Sequence, residues 1–149
     1  MSIESEGWPA ELEALAERAV FEALAQAGAK VAGVAEISIL LTDDAQQRVL
    51  NREWRQIDKS TNVLSFPQLE PFAPLAGLVG DLSLARETLE REAAEMGIGF
   101  SDHFTHLVVH GFLHLLGYDH LAEDEAVRME NLETRILHTL GIADPYADG

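Results

Sequence analysis

Apolar positions recur at helical spacing from Leu12 through Leu15, Ala16, Ala19, Val20, Ala23 and Leu24, and Gly28 closes the run. The chain therefore opens with an amphipathic helix, led in by Trp8-Pro9 and an acidic first turn. The period then changes. Val34 to Leu41 is rich in β-branched and aliphatic residues and reads as a strand. Thr42-Asp43-Asp44 starts a second helix, with Asp43 and Gln46 at capping-box spacing. It runs to about Trp54 and turns Val49 and Leu50 inward. Arg55 to Asn62 is polar and aperiodic, hence a loop, and Val63 to Phe66 is a short strand ended by Pro67. Gln68 to Gly77 contains Pro71 and Pro74 with Leu69 and Phe72 between and before them, a long loop of the kind that often covers a site.

Leu78 to Leu84 reads as a third strand, and Ala85 to Met96 as a helix dense in glutamate and alanine, ended by Gly97. Ser101 or Asp102 is the expected cap of a fourth helix that offers Phe104, Leu107, Val108 and Leu115 to the core. A last helix covers roughly Glu123 to Leu140, with Val127, Met129, Leu132, Ile136 and Leu140 as its inner stripe, before a frayed tail from Asp144. Three strands interleaved with five helices predict an α/β or α+β fold with a small mixed sheet. No repeat or linker is visible, so residues 1–149 read as a single compact domain.

Composition adds one constraint that matters. Hydrophobic residues make up 47% of the 149 and charged residues 24%, as in ordinary globular proteins, but the net charge is −16. Such a chain repels a polyanion as a whole. A nucleic-acid role must rest on a local basic cluster, a metal ion or a partner that delivers the substrate. There is no cysteine, hence no disulfide and no thiolate ligand. No apolar run approaches the roughly 20 residues of a membrane span, and the N-terminus is acidic where a secretory signal is basic. Cytoplasmic residence, with no membrane partner, is the expectation.

The candidate chemistry lies in His110-Gly-Phe-Leu-His114-Leu-Leu-Gly-Tyr-Asp-His120. His110 and His114 are four apart, so a helix puts them on one face, a turn apart. Gly117 lets the helix end and the chain turn back, returning His120 to the same point. Three imidazoles fill three corners of a tetrahedron and leave the fourth for water, the arrangement of catalytic zinc; nickel, copper and iron also suit imidazole. His106 sits one turn further back, as a supporting partner, a possible substrate contact or a packed histidine. His103 and His138 fall outside the set, as surface or packing residues. Metalloproteases carry a general-base glutamate directly after the first histidine; here that residue is Gly111. A glycine inside a helix costs roughly 1 kcal/mol relative to alanine, so close approach of a backbone or a substrate is expected there.

The histidine run resembles the signature of the bacterial YbeY family, metal-dependent endoribonucleases of ribosomal RNA maturation. Asn51-Arg-Glu-Trp-Arg55-Gln-Ile-Asp-Lys59-Ser-Thr-Asn-Val-Leu-Ser-Phe-Pro67 resembles that family's other characteristic stretch, and Gly80-Asp81-Leu-Ser-Leu sits at its next strand. The resemblance spans nearly the whole chain. It implies a compact α/β fold with a mixed sheet and a helix-borne zinc site. The zinc, one ion per chain, would be held by His110, His114 and His120. Catalysis would fall to Arg55 and His114, on single-stranded RNA in small-subunit 3′-end processing and ribosome quality control, beside proteins of the small ribosomal subunit. Arg55 is always protonated and offers a bidentate fork to phosphate. Lys59 is a weaker candidate for substrate phosphate contact, and Arg52 weaker still. Asp119 either orients a ligand ring or caps the turn. Zinc-bound water acidified to a pKa of about 7 is one nucleophile, the ribose 2′-hydroxyl another, and only the second leaves a cyclic phosphate. Two other readings stand beside this one: a ribosome-assembly binding factor with a structural or weakly catalytic zinc, which the net acidity favours, and a small hydrolase of another ester or amide.

Overall fold

A computed structural model describes residues 2–4, 9–56, 61–118 and 122–143. The elements run β1 (Ser2–Glu4), α1 (Ala10–Ala27), β2 (Val31–Thr42), α2 (Asp44–Arg55), β3 (Val63–Pro67), β4 (Leu75–Ala85), α3 (Arg86–Met96), α4 (Phe100–Leu116) and α5 (Glu123–Thr139). The strands form one mixed sheet in the order β1-β2-β4-β3. β1, β2 and β4 are parallel, and β3 is antiparallel to β4 at one edge. The expected α+β architecture with five helices is present, with a fourth strand added. β1 escapes the sequence pattern because three residues are too few to show a period. β4 also begins earlier than expected, so Leu75 to Gly77 pair with β2 and the preceding loop is shorter.

Alternation along β4 assigns the two sheet faces. Leu82 and Gly80 look toward α4: a Cβ placed on Gly80 would meet Leu115, and one on Gly111 would meet Leu82. Ser83 looks the other way, toward α2. On the α4 side Ala35, Ile37, Ile39, Leu82 and Leu84 join Ala16, Val20, Phe104, Val108, Phe112 and Ile136 in the main core. α4 packs against α1, α3, α5, β3 and β4, which explains why its sequence is apolar nearly all round. It is the central helix.

α2 departs from its predicted orientation. Val49 is 40% exposed, whereas Gln47 and Asn51 are buried. The cause is polar. The Gln47 amide donates to the Ser83 carbonyl (2.8 Å) and the Thr61 carbonyl (3.2 Å), and its oxygen accepts from the Ser83 hydroxyl (2.6 Å). A fully satisfied amide is stable where an unpaired one would cost ~1–3 kcal/mol. Val127 on α5 is likewise 51% exposed rather than inward. α4 starts at Phe100 with Gly99 at the cap position and no side-chain cap, not at Ser101 or Asp102. Asp43 caps α2 as expected, accepting the Gln46 backbone N–H at 2.8 Å.

α2 and α3 also cap each other. Asp44 accepts the Thr88 backbone N–H (3.1 Å) and hydroxyl (2.7 Å), while Glu87 accepts the Asp44 backbone N–H (3.0 Å). α3 has no cap of its own at Ala85, so Asp44 supplies one from the other helix. Desolvation pushes the Asp44 carboxyl up, but the hydrogen bonds from Thr88 and Arg91 outweigh it, and its pKa lies below the ordinary value of 3.8. A depressed carboxylate stabilises the fold above its unfolded pKa, and that contribution disappears as pH falls through the folded value. Asp44→Ala is expected to lower stability by about 1 kcal/mol at pH 7 and by less at pH 3, as measured by urea denaturation across that range. An equal loss at both pH values would contradict the ionised cap.

Candidate metal centre

His103, His106, His110 and His114 are spaced 3, 4 and 4 apart and line one side of α4. Their ring centroids follow one another at 6.3, 6.2 and 4.7 Å. His103 is a packing residue: it is buried, and its Nε2 meets Glu92 of α3 at 2.9 Å. His138 is exposed near the end of α5.

The informative pair is His110 and His114, whose Nε2 atoms lie 3.1 Å apart. Nδ1 of His114 is 2.9 Å from the backbone oxygen of Tyr118. A carbonyl only accepts, so that Nδ1 carries the proton and Nε2 presents its lone pair. Nδ1 of His110 is 2.6 Å from Oε1 of Glu133, which fixes the same tautomer. Two Nε2 lone pairs then face one point, the arrangement that a shared metal ion needs. Nitrogens bound to a tetrahedral zinc at 2.0–2.1 Å stand about 3.3 Å apart, close to the separation seen. The donor set fits a metal ion.

Atoms of His106, His110 and Glu133 also lie within 4.8 Å of one another, a group able to hold a metal ion. Glu133 Oε1 and His110 Nδ1, however, are closer together at 2.6 Å than two ligand atoms of one tetrahedral ion stand. That contact is a hydrogen bond. His106 joins it through Nε2, 3.3 Å from Glu133 Oε2. Glu133 is completely buried on α5 and is the residue that sequence reading missed. A signal was there: Glu133 lies between Met129 and Leu132 on one side and Ile136 and Leu137 on the other, in the apolar stripe. A carboxylate in such a stripe requires a partner.

Arg55, the last residue of α2, reaches the same region across the sheet edge. Its guanidinium donates to the backbone oxygen of Ser65 on β3 and lies 5.4 Å over the Phe66 ring. The Ser65 hydroxyl in turn donates to the Gly111 carbonyl at 3.4 Å. One strand therefore links Arg55 to the turn of α4 between the two histidines. The glycine at 111 is explained by the same approach: a Cβ there would stand 2.8 Å from Leu82 Cδ2 and 3.4 Å from Ser65 Oγ. The close contact is made by side chains of the sheet.

The loop before β4 lies against the far end of the helix. Phe72 donates its N–H to the Leu116 carbonyl (2.8 Å) and packs edge-on to Tyr118, the centroids 5.1 Å apart. It therefore backs the turn whose carbonyl holds His114. His120, Asp119 and Lys59 lie outside the described residues.

A small α+β fold whose central helix aims paired imidazoles at a common point, with an arginine brought in by the edge strand, defines a protein class with a helix-borne histidine centre. The family model of the endoribonuclease YbeY matches residues 2–141. Curated relatives named endoribonuclease YbeY include one from Allorhizobium ampelinum, 52% identical over 99% of this chain and 93% of its own. Another, from Rhodospirillum rubrum, is 55% identical over 91% of this chain and 72% of its own. The solution structure of a Thermotoga maritima protein shares the fold, with a TM-score of 0.58 at 22% identity, covering 99% of this chain and all of that one. The chain belongs to the endoribonuclease YbeY family.

Proposed function

We propose that the protein is a zinc-dependent endoribonuclease that cuts single-stranded RNA during ribosomal RNA maturation in the cytoplasm. His110, His114 and His120 hold the ion, and Arg55 engages the phosphate. The observation that carries this reading is the 3.1 Å approach of the two Nε2 atoms with both Nδ1 positions already committed. Relatives bearing the endoribonuclease name at about half identity support the reaction class. Zinc bound there supplies Lewis acidity and a water of near-neutral pKa, about 7. The protein's own part is positional. The Tyr118 carbonyl and Glu133 hold the two rings with Nε2 toward the common point. Arg55 offers a fixed positive charge to the phosphate oxygens on which charge accumulates. Lys59 and His106 are assigned as supporting contacts to the RNA.

The acidity of the chain is met locally. Arg48, Arg52 and Arg55 are exposed on α2 at spacings of 4 and 3, hence on one helical face. Trp54, 69% exposed, stands edge-on to Phe66 beside them and offers a surface on which a base can stack. Arg52→Glu is expected to weaken binding of a single-stranded oligonucleotide and to lower the slope of log K against log salt by roughly 0.7 per lost phosphate contact. An unchanged slope in fluorescence-anisotropy titrations would remove Arg52 from the interface.

The deciding experiment compares zinc-loaded wild type with His114→Ala on a single-stranded ribosomal RNA fragment. Wild type is expected to cut and the variant to lose both zinc and cleavage. Equal cleavage by both would mean a contaminating nuclease. The net charge of −16 favours a second reading, a ribosome-assembly factor docked on basic proteins of the small subunit. Co-sedimentation with small subunits without any RNA cleavage would favour that one.

A further inference from the structure

Glu133 is buried and His106 half-buried, and the proposed chemistry does not explain the contact between them. Glu133 has no exposed surface, and each of its oxygens faces a different histidine of α4: Oε1 faces His110 Nδ1 at 2.6 Å, and Oε2 faces His106 Nε2 at 3.3 Å. A carboxylate with no solvent contact is costly unless charge and lone pairs are met. On α5 it has been kept in place of an apolar residue, between Leu132 and Ile136. The gain is on α4. Imidazole has two interchangeable tautomers, and only the one with the proton on Nδ1 leaves Nε2 free to bind a metal.

We propose that Glu133 is the positioning residue of the metal centre: it fixes His110 in the Nδ1–H tautomer and in the ring orientation that presents Nε2, while His106 holds the carboxylate from its other side. Neither Glu133 nor His106 binds the ion. This rests on the reading of His110 and His114 as metal ligands. His114 is fixed by a backbone carbonyl, which no substitution at position 118 removes, whereas His110 depends on one side chain from another helix. Carboxylates so placed behind a ligating histidine raise its basicity and lock its rotation, and their loss typically weakens metal binding 10- to 100-fold.

Glu133→Gln tests this closely, because the shape is kept. An amide has one accepting end and one donating end, so it cannot accept from both His110 and His106. One ring must flip its tautomer or lose its bond. Zinc affinity is read by competition with a chromophoric chelator, and the histidine tautomers by long-range proton–nitrogen NMR on the zinc-free protein. The expected result is a 10- to 100-fold weaker zinc affinity for Glu133→Gln, with a mixed tautomer at His110 and an unchanged one at His114. A purely structural role for Glu133 would lower the melting temperature and leave the folded variant's tautomers and zinc affinity as in wild type; that outcome overturns the proposal. Should Glu133→Gln not fold, the wild-type spectrum alone decides, since a His110 protonated on Nε2 overturns it equally. Failure of the underlying reading looks different: wild type would then bind no zinc at the competing concentrations, whatever the tautomer of His110.

Discussion

Arg55→Ala is expected to keep its zinc and lose its cleavage. The arginine is exposed and attached to the rest of the protein through the Ser65 carbonyl and the Phe66 ring, so its removal leaves no buried group without a partner and costs little stability. Among the described residues, the two rings are oriented by other groups: one is held by Glu133 and the other by the Tyr118 carbonyl. Under the proposed function, what disappears is a fixed positive charge for the phosphate on which charge would develop. Single donors of that kind are worth about 100- to 1,000-fold in the chemical step. Single-turnover cleavage is therefore expected to fall by that factor, with zinc stoichiometry and melting temperature unchanged. Arg55→Lys should recover part of the rate, because it restores a charge but not the planar fork. Cleavage by Arg55→Ala within about threefold of wild type would take Arg55 out of the chemistry.

Gly117→Ala is expected to be the more damaging change to the fold. Gly117 has φ 118°, and a Cβ there would lie 2.9 Å from both Cα and Cβ of Pro71 and 3.0 Å from the Phe72 nitrogen. The obstacle is mainly backbone, which does not swing aside. Conformational strain and overpacking each cost roughly 1–3 kcal/mol, and together they should lower the melting temperature by about 5–20 °C at this chain length. Gly97 provides the control. It also ends a helix with positive φ, 69°, but a Cβ there meets nothing within 4 Å, so Gly97→Ala should show the conformational penalty alone. The two variants should differ in a second way. The turn at Gly117 carries the Tyr118 carbonyl that fixes His114, so Gly117→Ala should also weaken zinc binding and Gly97→Ala should not. Equal melting temperatures for the two would mean that the loop at Pro71 yields easily.

Local signals and long-range ones divided cleanly in this chain. Helix α1 was legible because its buried residues Leu12, Ala16, Ala19, Val20 and Ala23 are spaced by the helix itself. The pairing of His110 with His114 was legible for the same reason: four residues make one turn wherever the helix lies. The end of α4 at Gly117 was legible because a glycine tolerates the positive φ that a helix stop needs. What escaped depends on other elements. Gln47 is buried because a strand thirty-six residues away offers it an oxygen and a hydroxyl, and nothing in the sequence of α2 announces that. Glu133 stands among Glu123, Asp124, Glu125 and Glu130, and by composition it is one more solvent-facing acid. Only the phase of Met129, Leu132, Ile136 and Leu137 around it marks it as inward. The contact of Arg55 with Ser65, and of Ser65 with Gly111, joins segments that no periodicity connects. Their association was suggested only by the resemblance of two separate blocks to one family.

The Nε2 atoms of His110 and His114 are the centre of this account, and zinc itself reports on them. A crystal structure of the zinc-loaded protein, with anomalous data collected at the zinc edge, tests the assignment most directly. One peak per chain is expected at about 2.0–2.1 Å from both Nε2 atoms, with Glu133 still hydrogen-bonded to Nδ1 of His110. A peak between Glu133 and His106, with the two Nε2 atoms unligated, would contradict it.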